Sequence, residues 1–285
     1  MPTPDNELAA FLRAHRARLS PEDVGLPHGG PGRRVTGLRR EEVAVLAGVS
    51  ADYYTRLEQG RERNPSPQVI DAIGRALRLG PDAQGHLHRL AGLGPGAARA
   101  MADGLVHPDL LDLLHAFPHA AAYVLGPAFD VLATNAVADM LLSPFAPERN
   151  MPRVLFTHPA ARTVFAEWPV VTSATVHALR LNAGLYPGDQ DIAAVVDELG
   201  ARSAEFRTLW DDHRVGGLKR AYKVFVHPDV GRIELTYQTF DAHDAPGQQL
   251  LVGTPARRSR SEEAVAYLAS MTANPGAEPA RVPHT

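Results

Sequence analysis

VLAGVSADYYTRLEQG (Val45–Gly60) reads as one helix with a glycine set in its middle. Glycine gives up more backbone freedom in a helix than any other residue, so its presence there asks for a reason. The flanking residues supply one. Val43 and Ala47 lie one turn apart on the first segment, and Tyr54 and Leu57 share a face of the second, with Val49 between them. Ala44 is small, as the close crossing of two helices requires. Gly48 can take the left-handed conformation that ends a helix sharply. Ser50 can cap the next helix, and Asp52 falls in its first turn, where the helix dipole favours an acid. The stretch therefore predicts two helices folded about a tight turn.

That is the helix-turn-helix arrangement, whose second helix enters the DNA major groove with its N-terminal residues at base edges. The outward residues of that helix are Ser50, Ala51, Asp52, Thr55 and Arg56. Arg56 suits guanine, Asp52 can accept from a cytosine amine, and Ala51 or the Thr55 methyl can meet a thymine methyl. Phosphate contacts are expected from Arg39 and Arg40 before the motif and from Arg61, Arg63 and Asn64 after it. Arg33 and Arg34, on a long loop, are placed to track the backbone or enter a minor groove. Glu58 is expected to pair with Arg61 or Arg40 rather than touch DNA. The competing reading is a helical hairpin with a solvated charged face.

A DNA-binding chain with a net charge of -3 needs explaining, and the charge is unevenly spread. Residues 1–92 hold 13 arginines, no lysine and 11 acidic residues, whereas the remainder holds 16 basic and 21 acidic residues. The polyanion partner thus belongs to the first third. The length, 285 residues, gives room for two domains, each with its own core. With 45% hydrophobic and 21% charged residues the composition is that of a globular chain. There is no cysteine, which excludes disulfides and thiolate metal sites. No apolar run is long enough to span a bilayer, and MPTPDNELAA lacks the features of a signal peptide, so a cytoplasmic location without membrane contact is expected.

Helical periodicity continues around the motif. Leu8, Phe11, Leu12 and Leu19 form one apolar face before it, then 20–37 is a polar loop rich in glycine and proline. A further helix starts at Ser66-Pro67, and another at Pro81-Asp82. The expected divisions are a DNA-binding domain over 1–92, a linker over 93–107, a second domain over 108–271 and a disordered tail over 272–285. In the second domain PDLLDLLHAF is helical, AAYVLG and FDVLATN read as strands, and 135–212 is mainly helical. KRAYKVFVH, RIELTYQTF and QQLLVGT read as three closing strands, with PDVG (228–231) as a hairpin turn. Ser259 and Glu262 begin a final helix. The fold class is α+β, an all-α domain followed by one with a five-stranded antiparallel sheet and helices segregated on one side.

EEVAVLAGVSADYYTRLEQGRERNPSPQVIDAIGRAL resembles the phage-repressor-type (XRE-family) helix-turn-helix domain. GLRREEVAVLAGVSADYYTRLEQGRERNPSPQV is similar to the bacterial regulators of the MmyB-like group, and the spacing of FAEW, HALRLNAG, ELGARSAEFRTLWDDHRV, HPDVGRIEL and PGQQLLV resembles that group's second domain. The chain departs from phage-repressor domains in carrying Arg39-Arg40-Glu41 where glutamine is usual, and in a longer first loop. The resemblance implies a transcription regulator whose C-terminal domain is PAS-like and binds an apolar ligand such as a fatty acid.

No catalytic constellation or cofactor motif is found. The 13 histidines are scattered, and no Gly-x-Ser-x-Gly, P-loop or dinucleotide fingerprint occurs. His86 and His88 face different ways on a helix, and His158 and His227 precede prolines in turns. Lys219 and Lys223 are expected as a solvent-facing row. Phe165, Trp168, Phe206 and Trp210 are candidate pocket aromatics, and Arg180, inside an apolar helix, is a candidate partner for a ligand carboxylate. Ordinary core packing and a salt bridge are the competing readings, and Asn135 reads as a helix cap. Three functions stay open: a regulator, binding a palindromic operator as a homodimer, whose second domain senses a ligand; an enzyme with an appended helix-turn-helix domain; and a constitutive DNA-binding dimer without ligand.

Overall fold

A computed structural model describes residues 4–27, 37–62, 64–93, 105–218, 221–242, 245 and 247–273 (4–6, 272 and 273 as backbone only). Most of the expected linker and nearly all of the expected tail therefore lie outside the described residues. The chain packs as two compact units. One comprises Met1–Ala97, Val176–Asp189 and Ala204–Gly217; the other comprises Ala98–Thr175, Gln190–Ser203 and Leu218–Thr285.

The first unit opens with α1 (Pro4–Arg18), α2 (Arg40–Ala47), α3 (Ala51–Glu58), α4 (Pro67–Ala76) and α5 (Pro81–Leu90). Their starts follow from local chemistry. Ser66 Oγ accepts from Val69 N at 3.4 Å, and proline occupies the first turn of both α4 and α5, where a missing N–H costs nothing. Leu8, Phe11 and Leu12 of α1 pack with Val43, Ala44 and Ala47 of α2, Tyr54 and Leu57 of α3, Ile70 and Ile73 of α4 and Leu87 of α5. These are the positions that the 3.6-residue period selects.

In the second unit come α6 (Pro108–His115), β1 (Ala121–Leu125), β2 (Val131–Thr134), α7 (Ala136–Leu142), α8 (Met151–Thr157) and α9 (Ala161–Val164). Then α10 (Trp168–Leu185) changes membership along its length, its residues up to Thr175 belonging to the second unit and those from Val176 to the first. α11 (Gln190–Arg202) lies in the second unit, and α12 (Ala204–Asp211) packs in the first. The chain closes with β3 (Ala221–His227), β4 (Gly231–Asp241), β5 (Gln249–Thr254) and α13 (Arg260–Ala273).

The five strands form one antiparallel sheet in the order β2-β1-β5-β4-β3. The β3–β4 hairpin turns at the expected residues, with Gly231 at a φ of 71° that glycine adopts without strain. Asn135 caps α7, its Oδ1 accepting from Ala138 N at 3.0 Å and from Ala122 N at 3.1 Å. Its amide donates to the carbonyls of Phe117 and Ala120, both at 2.8 Å, so one side chain ties β1 to the helix that follows β2.

Alternation along the strands divides the sheet faces. Ala122, Val124, Leu250 and Val252 point to one face, where Leu110 and Leu114 of α6 cover them. This corrects the expectation that all helices lie on one side. Tyr123, Leu125, Tyr237 and Leu251 point to the other, beneath α8 and the start of α10. The open edge of β3 is partly occupied, because Ala166 N donates to Val224 O at 3.0 Å.

Candidate functional site

The turn between α2 and α3 is built as its residues require. Gly48 has a φ of 67° and its N–H closes α2 onto Ala44 and Val45. Ser50 Oγ then accepts from Tyr53 N at 3.1 Å, holding the first turn of α3. Ser50, Ala51, Asp52 and Arg56 are exposed along that helix, and Thr55 is half-buried. Arg56 Nε lies 3.4 Å from Asp52 Oδ2, and its guanidinium is 6.0 Å from the centre of the Tyr53 ring. An exposed pair of this kind is held weakly and breaks at little cost when a better partner arrives.

The flanking cations differ. Arg39 is exposed, and its N–H donates to Glu42 Oε2 at 2.6 Å at the start of α2. Arg61 and Asn64 are exposed after α3. Arg63, Arg33 and Arg34 lie outside the described residues. Arg40 is committed inward, its Nε donating to Glu58 Oε2. Glu58 has no exposed surface and also accepts from Arg16 Nε at 2.6 Å, while its backbone carbonyl accepts from Arg13 at 2.9 Å. Glu58 thus pairs with Arg40, one of the two expected partners. The second partner is Arg16 of α1 rather than Arg61, because α1 packs across the inner side of α3.

The second unit holds a cavity with about 510 Å³ of atom-free space, its mouth included. Its floor is the sheet, with Tyr123, Leu125, Lys223, Phe225, Tyr237 and Leu251. Its walls are Phe129, Leu142, Met151, Leu155, Phe165, Val171 and Thr175, with Leu218 beside them. Tyr123 Oη and Tyr237 Oη lie 3.2 Å apart, and burial pushes both phenols up, so they stay neutral at physiological pH. Lys223 Nζ sits 4.7 Å from the centre of the Tyr237 ring. Its side chain is half-buried, and the protein packed around the ammonium pushes its pKa down to about 8. Gly253 faces Tyr237 across the β4–β5 ladder, and a Cβ there would come within 2.6 Å of the ring.

Of the five side chains expected at a ligand site, the structure brings only Phe165 to the cavity. Trp168 stands apart from the lining, with Nε1 donating to Leu155 O at 2.9 Å and the Arg162 guanidinium 3.9 Å from its ring. Arg180, Phe206 and Trp210 belong to the first unit. The Arg180 guanidinium lies 4.0 Å from the Trp210 ring, donates to the Trp210 carbonyl and reaches Glu7 Oε2 at 3.4 Å. Burial lowers its pKa to about 10. Phe206 stacks on Trp210 with ring centres 5.8 Å apart. These three are packing and pairing groups of the first unit.

Lys223 reverses the expectation of a solvent-facing row; Lys219 lies outside the described residues. A signal for it exists in the sequence. Period two places Lys223 on the same strand face as Ala221 and Phe225, a single charge in an apolar row. Tyr123 and Tyr237 carried no comparable signal, since an aromatic in a strand reads equally as core. Among the described residues no cluster of three or more His, Asp or Glu is placed to hold a metal ion, and no helix is long and apolar enough to cross a membrane.

Residues 7–87 match the family model of a helix-turn-helix domain, and residues 106–268 match that of the MmyB-like transcription regulator ligand binding domain. No curated protein matches the chain. The two matched segments are those of a DNA-binding transcription regulator.

Proposed function

Because this chain belongs to the MmyB-like transcription regulators, we propose that it binds a palindromic double-stranded operator as a homodimer and that a small apolar ligand, such as a fatty acid, controls it. The observation that carries the DNA half is the exposed N-terminal face of α3, with Asp52 and Arg56 on it, set off by Gly48 and capped by Ser50. Within 1–92, Ser50, Ala51, Asp52, Thr55 and Arg56 read bases, while Arg39, Arg40, Arg61, Arg63 and Asn64 hold phosphates. Arg40 does so with the part of its side chain that Glu58 leaves free. Dimerisation rests on size: one helix-turn-helix unit buries little DNA, and two units one helical turn apart account for a palindrome.

The cavity supports the ligand half, with residues 108–271 as the ligand-binding and dimerisation domain. Its lining is apolar apart from the hydroxyls of Tyr123, Tyr237 and Thr175 and the ammonium of Lys223.

Selection of binding sites from random DNA by the full chain, with sedimentation of the free and bound protein, tests the DNA half. The expected results are an inverted-repeat consensus and a dimer; recovery of unselected sequences, or a monomer both free and on DNA, overturns the corresponding claim. Native mass spectrometry of protein purified from cells tests the ligand half. Absence of any adduct, together with no thermal shift across a fatty-acid panel, favours the constitutive dimer instead.

A further inference from the structure

Of the chain's 29 lysines and arginines only two are lysines, Lys219 and Lys223. Lys223 is the one charged residue in the lining of the second unit's cavity, and no carboxylate among the described residues pairs with it. Its Nζ lies 4.7 Å from the centre of the Tyr237 ring. Apolar walls without a counter-ion favour the uncharged amine over the ammonium, which brings the pKa down to about 8. At pH 7 roughly a tenth of these side chains are then neutral, against under a thousandth for an ordinary lysine. An arginine in that place would stay protonated and supply charge alone; a lysine also supplies a nucleophilic nitrogen. Beside it, Tyr123 and Tyr237 share one hydrogen bond across 3.2 Å, so one of their two phenol protons stays available to a ligand oxygen.

We infer that Lys223 is a covalent attachment site, and that through it the cavity captures an apolar aldehyde as an imine. The neutral Nζ adds its lone pair to the carbonyl carbon, and the carbonyl π pair moves to oxygen. Transfer of one nitrogen proton to that oxygen gives the carbinolamine. The hydroxyl group then takes up a proton and leaves as water while the nitrogen lone pair forms the C=N bond. Nitrogen gives its remaining proton back to the medium, so the sum is one imine and one water, with nothing oxidised or reduced. The free phenol proton of the tyrosine pair polarises the carbonyl by a hydrogen bond to its oxygen. Leu125, Leu155, Phe165 and Leu251 receive the apolar chain and limit the water that would reverse the reaction. Charge selects the class: an aldehyde enters this lining uncharged, and the imine leaves no ammonium in need of a counter-ion. The inference rests on the reading of the cavity as a ligand site and adds a bond to it.

The competing account is that Lys223 lays its stem over Tyr237 and keeps its charge in water, with no part in chemistry. Two measurements on the full chain, with octanal and its unreactive analogue octanol as probes, separate the two. In the first, cyanoborohydride fixes any imine as a secondary amine, and peptide mass spectrometry locates the octyl group. At pH 7 Lys223 should be labelled on the order of tenfold faster than Lys219, the chain's other lysine, and octanol should protect it. In the second, displacement of a fluorescent apolar dye without reductant should show octanal binding on the order of tenfold tighter than octanol. Lys223→Arg keeps the charge but removes the amine, so it should bind both probes alike; Lys223→Met takes its place if melting shows the Arg variant unfolded. Octanol binding with equal labelling of the two lysines overturns the attachment site while leaving the cavity a ligand site. Labelling that octanol does not prevent, or a preference for octanal that survives in Lys223→Arg, overturns it too. If neither probe displaces the dye and Lys223 stays unlabelled, the cavity reading falls and the attachment site with it.

Discussion

Arg16 Nε donates to Glu58 Oε1 across 2.6 Å, joining residues 42 positions apart. The acceptor is fully buried and the donor nearly so, with side-chain exposures of 0% and 16%. Arg40 closes the same carboxylate from α2. Three helices, α1, α2 and α3, are thereby fixed to one acid, and the second helix of the helix-turn-helix is held through it.

Glu58→Ala should therefore destabilise the first unit by about 3 kcal/mol, the low end for a broken buried pair, because Arg40 regains water. Urea unfolding measures it. A loss below about 1 kcal/mol would mean that the pair is no better than a surface bridge.

Arg56 and Arg39 should fail differently. Arg56→Ala should relax preference at one base pair by about 1–3 kcal/mol while sparing the rest of the operator. Arg39→Ala should weaken all sequences alike and reduce the salt dependence of binding. An unchanged footprint for Arg56→Ala would remove α3 from the groove.

Acid should unfold the first unit early. Burial, reinforced by the charges of Arg89 and Arg180, holds His86 down to about 3, while burial and nearby cations hold His15 and His213 down to about 4. In the unfolded chain these imidazoles take up protons near the ordinary value of 6.5, so the unfolded state binds more protons between pH 6.5 and 4. Stability is then present above that window and is lost as pH falls through it. His86 alone contributes on the order of 3 kcal/mol to the loss by pH 4. Urea midpoints at pH 7 and 5 should differ less in His86→Leu than in the wild type; equal differences would show that His86 is not the titrating group.

Two glycines should respond to alanine in opposite directions. Gly253→Ala drives a Cβ to 2.6 Å from the Tyr237 ring, so it should cost about 1–3 kcal/mol by displacing that ring. Gly200, inside α11, has nothing within 4 Å of the same atom, and Gly200→Ala should raise stability by about 0.5–1 kcal/mol. Melting curves compare them directly.

The helix-turn-helix was legible because its determinants are local. Gly48, Ser50 and Asp52 act within one turn of where they stand, and the apolar period names the buried face of each helix. The strands were legible for the same reason. What a period does not name is the partner of a buried face. The segment VHALRLNAGL is apolar enough to announce burial, but nothing in it says that Arg180 will meet Glu7, 173 positions earlier. For the same reason α12 read as pocket wall, although Phe206 and Trp210 pack in the first unit. Lys223 was misread from the opposite cause. Lysine in a strand usually means solvent, and only its apolar neighbours argued otherwise.

The membership of α10 and α12 in the first unit has a consequence for dissecting the protein. Val215 packs on the core of α1 to α5, Arg18 pairs with Asp212, and Gly217 N donates to Asp82 at 3.3 Å. A fragment ending at residue 92 would keep α3 but strip His86 of its neighbour Gly184 and Glu7 of its partner Arg180, both in Val176–Asp189. The helix-turn-helix segment is thus not an exchangeable cassette. It completes its fold with sequence borrowed from beyond the point where its own family match ends, and chimaeras joined near residue 92 inherit an unfinished domain.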